Sequence, residues 1–330
     1  MREREMVREI IHGMDPAAYL RGIGFEVFPW QDEVLSDPAT RICIDGARQG
    51  GKSTLMSAIV CHKAKYTPKS LSVILAPTLM QANEDMMKIK SFIGQDKTYP
   101  KLTRSGAQEI ATEKGSRILV LTASDDAARG FSNPDIILFD EASRIGDEVY
   151  EAVRPMITDN PKARIYEIST PNGKQGFFYS HFSSYRWSRY LVRSPWTARD
   201  SERGPVLVPL SEDEAIAELR RNVKASAKPE KIRFFFSPRH YNEAEQEDAL
   251  SGMHIRKYLQ EYGCEFVDAE DQVFSQDLIE SMFASPAESV FEEPDLLPGE
   301  VAADPDPEFM DEYGPDYPYR TQRIDRRRQA

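Results

Sequence analysis

Gly46-Ala47-Arg48-Gln49-Gly50-Gly51-Lys52-Ser53 fits the pattern G-x-x-x-x-G-K-[ST] at every fixed position. Glycines let the backbone curl so that successive N–H groups face an anion, and a helix opening at Lys52 adds the positive end of its dipole. The chemistry is that of a nucleoside triphosphate, ATP, cradled by residues 46–54, with Lys52 bridging the β- and γ-phosphates and Ser53 ligating Mg²⁺. Thr54 follows on the same helical turn. A second group lies downstream, where the apolar run Asp135-Ile136-Ile137-Leu138-Phe139 ends in Asp140-Glu141. Asp140 would hold Mg²⁺ through water, and Glu141 would polarise the attacking water. By itself such a pair is an ordinary solvated strand end; with the loop upstream it reads as the second half of a site. A protein that merely holds nucleotide needs no carboxylate aimed at water, so hydrolysis is expected.

These groups must be placed by a scaffold. Four apolar, β-branched-rich runs, residues 41–45, 71–76, 135–140 and 164–170, alternate with helical or turn-forming segments. Helical patterns cover residues 53–65 and 78–92, and residues 108–112 and 117–122 read as an antiparallel pair around Glu113-Lys114-Gly115-Ser116. The fold class is α/β: a RecA-like P-loop domain with a mostly parallel, doubly wound sheet plus a small helical subdomain. After Asp200 the pattern turns helical. Ser211 and Glu214 form a capping box ahead of residues 216–221, another helix is expected over 251–260, and residues 222–248 resist assignment. The expected organisation is an N-terminal arm (1–24), an ATPase core (25–200), a helical subdomain completing it (201–283) and an acidic, proline-rich, disordered tail (284–330).

Composition sets bounds rather than a function. The net charge is −12, but residues 284–330 hold twelve Asp/Glu against five Arg and so carry seven of those charges. The remainder is still not basic, so charge alone gives no nucleic-acid affinity. No run of eighteen apolar residues and no signal-peptide core is present, which points to a cytosolic protein without a membrane. Cys43, Cys61 and Cys264 lack metal-ligand spacing and read as buried thiols.

Phe28-Pro29-Trp30-Gln31 before the loop, the arginine-bearing loop itself, Ala128-Arg129-Gly130, Asp140-Glu141, Ser169-Thr170-Pro171 and Gln260-Glu261-Tyr262-Gly263-Cys264-Glu265-Phe266 extend the pattern over residues 25–283. In this set the chain resembles the ATPase domain of the large terminase subunit of tailed double-stranded DNA bacteriophages, the motor that packages genomes into procapsids. The resemblance implies double-stranded DNA, a portal protein and a small terminase subunit as partners. It also implies a homo-oligomeric ring, in the cytoplasm of the infected bacterial host and transiently at the procapsid portal. It implies that Gln31 reads the adenine edge with Trp30 or Phe28 against the base, the alternative being a core aromatic pair beside an exposed Gln. Ser169 and Thr170 would sense γ-phosphate loss and couple it to DNA movement. Arg129 would be a trans-acting finger and Arg48 a cis contact to the transferred phosphate, unless either is a plain surface arginine.

The resemblance breaks near the C-terminus. Such subunits continue into an RNase-H-like nuclease, whereas 47 residues follow Phe283 here, short of the roughly 100 needed for an α/β core. DNA cleavage is therefore not expected of this chain, and a nuclease would sit on a separate chain or be lost by truncation. Two rival readings stay open: a helicase-like DNA-dependent ATPase, which would need a second RecA-like lobe, and a non-catalytic module that uses nucleotide to regulate assembly.

Overall fold

The computed structural model describes residues 2–124, 131–157, 160–202, 204–223 and 228–267. Helices α1 (Arg2–Met14), α2 (Pro16–Gly22) and α3 (Pro29–Ser36) precede β1 (Arg41–Gly46) and α4 (Lys52–Tyr66). Next come β2 (Leu71–Ala76), α5 (Leu79–Gln95), β3 (Leu102–Ser105), β4 (Glu109–Thr112) and β5 (Arg117–Thr122). They are followed by β6 (Ile136–Asp140), α6 (Asp147–Val153), β7 (Arg164–Ser169), α7 (Gly176–Phe182) and β8 (Ser188–Arg193). The last described elements are β9 (Trp196–Arg199), β10 (Val206–Pro209), α8 (Glu212–Asn222), β11 (Ile232–Phe236), α9 (Glu243–Ser251) and α10 (Ile255–Glu261).

Among the described residues nine strands make one sheet in the order β11-β8-β1-β7-β6-β2-β5-β4-β3. All neighbours from β11 to β5 are parallel, and β4 and β3 extend the sheet antiparallel. The α/β expectation holds for a simple reason: the strands are apolar on both faces. Ile42, Ile44, Ile74, Leu138 and Ile168 enter one core cluster, while their neighbours Cys43, Val73, Ile137 and Phe139 enter another. A sheet buried on both faces needs helices on both. Tyr19, Leu55 and Ile89 of α2, α4 and α5 cover the first face, and Val149, Phe177 and Leu219 of α6, α7 and α8 cover the second. All three cysteines are free and buried, as expected.

Two strands escape the apolar pattern because arginines interrupt them. Strand β8 carries Arg189 and Arg193, each about 1% exposed; Arg189 donates to the Phe182 carbonyl (3.1 Å) and Arg193 to Glu218 Oε2 (2.8 Å). Strand β11, inside the stretch that resisted assignment, pairs with β8 at the sheet edge. The helical reading of residues 201–283 therefore needs correction: this segment also supplies β10 of a two-stranded ribbon and an edge strand of the main sheet. Ser211 and Glu214 do form the capping box, starting α8 at Glu212. The helix expected over 251–260 is α10, which starts at Ile255, where the His254 ring accepts from Arg256 N; α9 precedes it and ends at Ser251.

Ahead of Phe25, helix α2 is packed against the core, whereas α1 is largely exposed. Tyr19 Oη donates to Asp96 Oδ2 (2.9 Å), which also takes Lys65 Nζ (2.8 Å), tying α2 to α4 and the end of α5. Asp37 does similar work at the other edge. It accepts from Ser188 Oγ, from Tyr190 Oη (2.8 Å) and from Arg233 Nη1 (2.7 Å), joining the end of α3 to β8 and β11. Burial alone would raise its carboxyl, but bonds from Ser188, backbone Ala39, Tyr190 and Arg233 prevail and hold it below the usual carboxylate range. Among the described residues no helix is long and apolar enough to cross a membrane.

Candidate functional site

Parallel strands end on one edge, and here that edge gathers the chemistry. Register pairs Asp45 of β1 with Ser169 of β7, and Ile168 of β7 with Asp140 of β6. Strand β7 thus separates the loop strand from the Asp-Glu strand. Two strand spacings, about 10 Å, leave room between them for phosphates and a cation.

The glycine loop is held from three sides. Ala47 N donates to Val192 O (2.7 Å) and Arg48 N to Glu261 O (2.7 Å), so β8 and the end of α10 grip the rising arm. Lys52 Nζ folds back onto the Gly46 carbonyl (2.5 Å) and the Ala47 carbonyl (3.3 Å), within the curl where phosphates are expected. Gln49 and Gly51 adopt left-handed backbone, with φ of 59° and 101°. A Cβ on Gly51 would stand 3.0 Å from Gln31 Nε2, so glycine is required there for close approach as well as for φ. Arg48 and Gln49 are exposed at the crown, Gly50 is buried, and Ser53 and Thr54 are half-buried on the first turn of α4.

Gln31 is where the sequence leaves a choice. Its amide is 1% exposed; it accepts from Phe28 N (3.0 Å) and donates to Gly51 O (3.0 Å). Both ends are used to tie the start of α3 to the loop. Trp30 and Phe28, 1% and 7% exposed, lie in the core cluster, so the aromatic pair is core while the glutamine is buried rather than exposed. On the outer side of Phe28, the Arg239 guanidinium lies 5.4 Å from the ring centre.

The metal side of the site involves a helix that the motifs did not mark. Ser53 Oγ accepts from Lys88 Nζ (3.2 Å), and Lys88 also lies 3.7 Å from Asp85 Oδ1. Gln81 Nε2 donates to both Asp85 Oδ1 and Asp140 Oδ2, each at 3.1 Å. Asp85 is wholly buried, and burial followed by the nearby Asp140 charge raises its carboxyl to about 8. Burial and then Glu141 likewise raise Asp140. Carboxyls this close disfavour each other's ionisation. A hydroxyl, two carboxyls and a resident ammonium make an oxygen-rich, cation-seeking pocket of the kind Mg²⁺ takes with substrate phosphates. Among the described residues no group of three or more His, Cys, Asp or Glu forms a metal cage of protein ligands alone.

Glu141 follows Asp140 with left-handed backbone (φ 49°) and so turns away from the strand. Its Oε2 accepts from Arg144 Nη1 (3.1 Å) and lies 3.5 Å from Ser169 Oγ. Ser169 Oγ donates to Ser143 Oγ (2.8 Å), Ser143 Oγ donates to Thr170 O (2.8 Å), and Gln260 Nε2 donates to Pro171 O (2.6 Å). The segment Ser169-Thr170-Pro171 therefore touches both the Glu141 turn and α10. Arg129 lies outside the described residues, as does the 284–330 tail.

Gln81, Asp85, Lys88, Arg144 and the Ser237-Pro238-Arg239-His240 turn are the neighbours that sequence reading missed. For the α5 trio a signal existed: the spacing i, i+4, i+7 puts three polar side chains on one helix face following a strand that ends at the site edge. Nothing local marked the Ser237 turn, which reaches the loop only because β11 lies two strands from β1.

A sequence model of the family described as terminase large subunit, T4likevirus-type, N-terminal, matches residues 43–281. Among solved structures the chain is similar to the large terminase ATPase domain of Thermus phage P74-26, at 20% identity over 76% of this chain and 97% of that one, with a TM-score of 0.51. A mutant of the same domain gives 18% identity, 76% and 98% coverage, and a TM-score of 0.52. The large terminase of bacteriophage HK97 matches at 16% identity over 76% of this chain and 54% of its own length, again with a TM-score of 0.51. At these identities the structural likeness speaks to the fold.

Proposed function

The chain belongs to the terminase large subunit family, T4likevirus-type, and we propose that its sheet edge is the ATP-hydrolysing centre of a motor that drives double-stranded DNA into a procapsid. The observation that carries this reading is the convergence of Lys52 and Ser53 with Asp140 and Glu141 across the single strand β7. A site for binding alone would need the first pair only.

In this reading the loop N–H groups left free by β8 and α10 orient the phosphates, and Lys52 exchanges its carbonyl partners for β- and γ-phosphate oxygens. Ser53 and Asp140 would hold Mg²⁺, which would supply charge neutralisation on the phosphates. Glu141 orients the attacking water and accepts its proton. Gln31 positions the loop from below and reaches the adenine edge only on giving up a present partner. Arg48 contacts the transferred phosphate from within the subunit, Arg129 from a neighbour in a ring, and Ser169-Thr170 passes the loss of γ-phosphate to α10. Portal protein and small terminase subunit are the proposed partners, with action in the infected bacterial cytoplasm and at the portal. DNA cleavage is assigned to none of the described residues.

Phosphate release by the full chain, with double-stranded DNA and procapsids present, tests the centre. Glu141→Gln turning over ATP at the wild-type rate would remove Glu141 from its role. Mixing Arg129→Ala with Glu141→Gln subunits tests the finger: restored turnover supports action in trans, and none counts against it.

A further inference from the structure

Helix α5 presents Gln81, Asp85 and Lys88 at i, i+4 and i+7, one face of one helix, and that face looks into the space between Ser53 and Asp140. Asp85 is 0% exposed; Gln81 holds its Oδ1, its Oδ2 takes no N–H or hydroxyl donor, and its carboxyl meets that of Asp140. A buried carboxyl oxygen that meets another carboxyl rather than a donor calls for a shared proton or a cation between the two. Lys88 reaches the same place from solvent: its side chain is 35% exposed, yet its ammonium lies 3.2 Å from the Ser53 hydroxyl and 3.7 Å from Asp85.

We propose that α5 is a third wall of the cation site: Asp85 is its second carboxylate beside Asp140, held in place by Gln81, and Lys88 is a tethered cation that Mg²⁺ displaces. The inference rests on the reading of this edge as an ATP site and deepens it.

The chemistry is that of exchange between two cations. The Ser53 oxygen that would ligate the metal now accepts from an ammonium, and two positive charges cannot share one hydroxyl and one carboxylate at contact distance. Lys88 is long and partly exposed, so it can swing out to Glu84 on its own helix, whose Oε1 is 3.9 Å away. Asp85, fixed and buried, stays. Its Oδ2 would then be available to the metal's water shell, since Mg²⁺ keeps several waters and is held partly through them. Gln81 donates to both Asp85 and Asp140 and so sets the separation of the two carboxyls.

The test uses the full-length chain loaded with the non-hydrolysable nucleotide AMP-PNP and titrated with Mn²⁺, free Mn²⁺ being read by electron paramagnetic resonance. Removing a like charge at contact distance from the metal should tighten it, so Lys88→Met is expected to lower the apparent Mn²⁺ dissociation constant about tenfold. Asp85→Asn should raise it about tenfold by the same reasoning in reverse. AMP-PNP affinity without metal should shift far less in both variants. Far-UV circular dichroism and a melting curve check folding; if Asp85→Asn does not fold, Gln81→Ala takes its place and should weaken Mn²⁺ in the same direction. Lys88→Met binding Mn²⁺ no tighter than wild type overturns the displacement, and an unchanged constant in the carboxylate arm removes Asp85 from the site. A wild-type chain that fails to bind AMP-PNP with Mn²⁺ overturns the ATP reading itself, whereas binding with no shift in the variants overturns only this inference.

Discussion

Arg144 stands between two glutamates, with Nη1 3.1 Å from Glu141 Oε2 and Nη2 3.3 Å from Glu261 Oε1. The Glu261 carbonyl in turn accepts the Arg48 N–H at 2.7 Å. One guanidinium therefore links the proposed water-orienting carboxylate to the segment that grips the phosphate loop. Glu141 sits in left-handed backbone, a conformation that costs a non-glycine residue about 1–3 kcal/mol, so tertiary partners rather than local preference hold it there.

Phosphoryl transfer is catalysed mainly by positioning, which makes the partner of Glu141 nearly as important as the carboxylate. Glu141→Gln should lower kcat by about 100-fold or more with nucleotide binding retained. Arg144→Ala should lower kcat about tenfold, with KM changing far less, because the carboxylate is present but loosely aimed. Steady-state phosphate release over a range of ATP concentrations checks both, and Arg144→Ala at wild-type kcat would sink the positioning role.

Gln31 braces the loop in this structure, so its loss should be felt in stability. Gln31→Ala leaves the Phe28 N–H and the Gly51 carbonyl unpaired beneath the loop and should destabilise by about 1–3 kcal/mol in urea unfolding. The preference for ATP over GTP should not change. Lost base preference at unchanged stability would instead support the adenine-reading role that the family resemblance implies.

Gly51→Ala meets two obstacles at once, φ of 101° and a Cβ placed 3.0 Å from Gln31 Nε2. Left-handed backbone alone costs a residue with a Cβ about 1–2 kcal/mol. Nucleotide affinity should fall together with stability, and calorimetric titration with ADP checks the first. Wild-type affinity would show that the loop does not need this bend.

The pH dependence of stability should carry the mark of Asp37. Its folded-state carboxyl is held below the ordinary value of about 3.9, so the stability it adds is present above that value and is lost as pH falls through the lower folded-state value. Asp37→Asn should be less stable than wild type at pH 7. The gap should narrow below about pH 4 and close once the native carboxyl is protonated. Parallel urea midpoints for the two proteins from pH 7 to pH 3 would refute this.

Sequence alone determined the strands β1, β2, β6 and β7, the two helices that follow β1 and β2, and the pairing of β4 with β5. Each is encoded within a short window, by a run of apolar side chains or by a glycine loop that only one local backbone satisfies. The loop and the Asp140-Glu141 pair were legible for the same reason. Strands β8 and β11 were not, because Arg189, Arg193 and Arg233 break the apolar run; the burial of Arg189 and Arg193 is met by partners at Phe182 and Glu218, and the exposed Arg233 is tied to Asp37, all elsewhere in the chain. The tertiary structure alone decided that Gln31 faces Gly51, that Asp85 and Lys88 face Ser53, and that Arg144 spans Glu141 and Glu261. Those contacts join residues from 3 to 117 positions apart, and which buried donor meets which acceptor is settled only when the sheet order and both helical layers are in place.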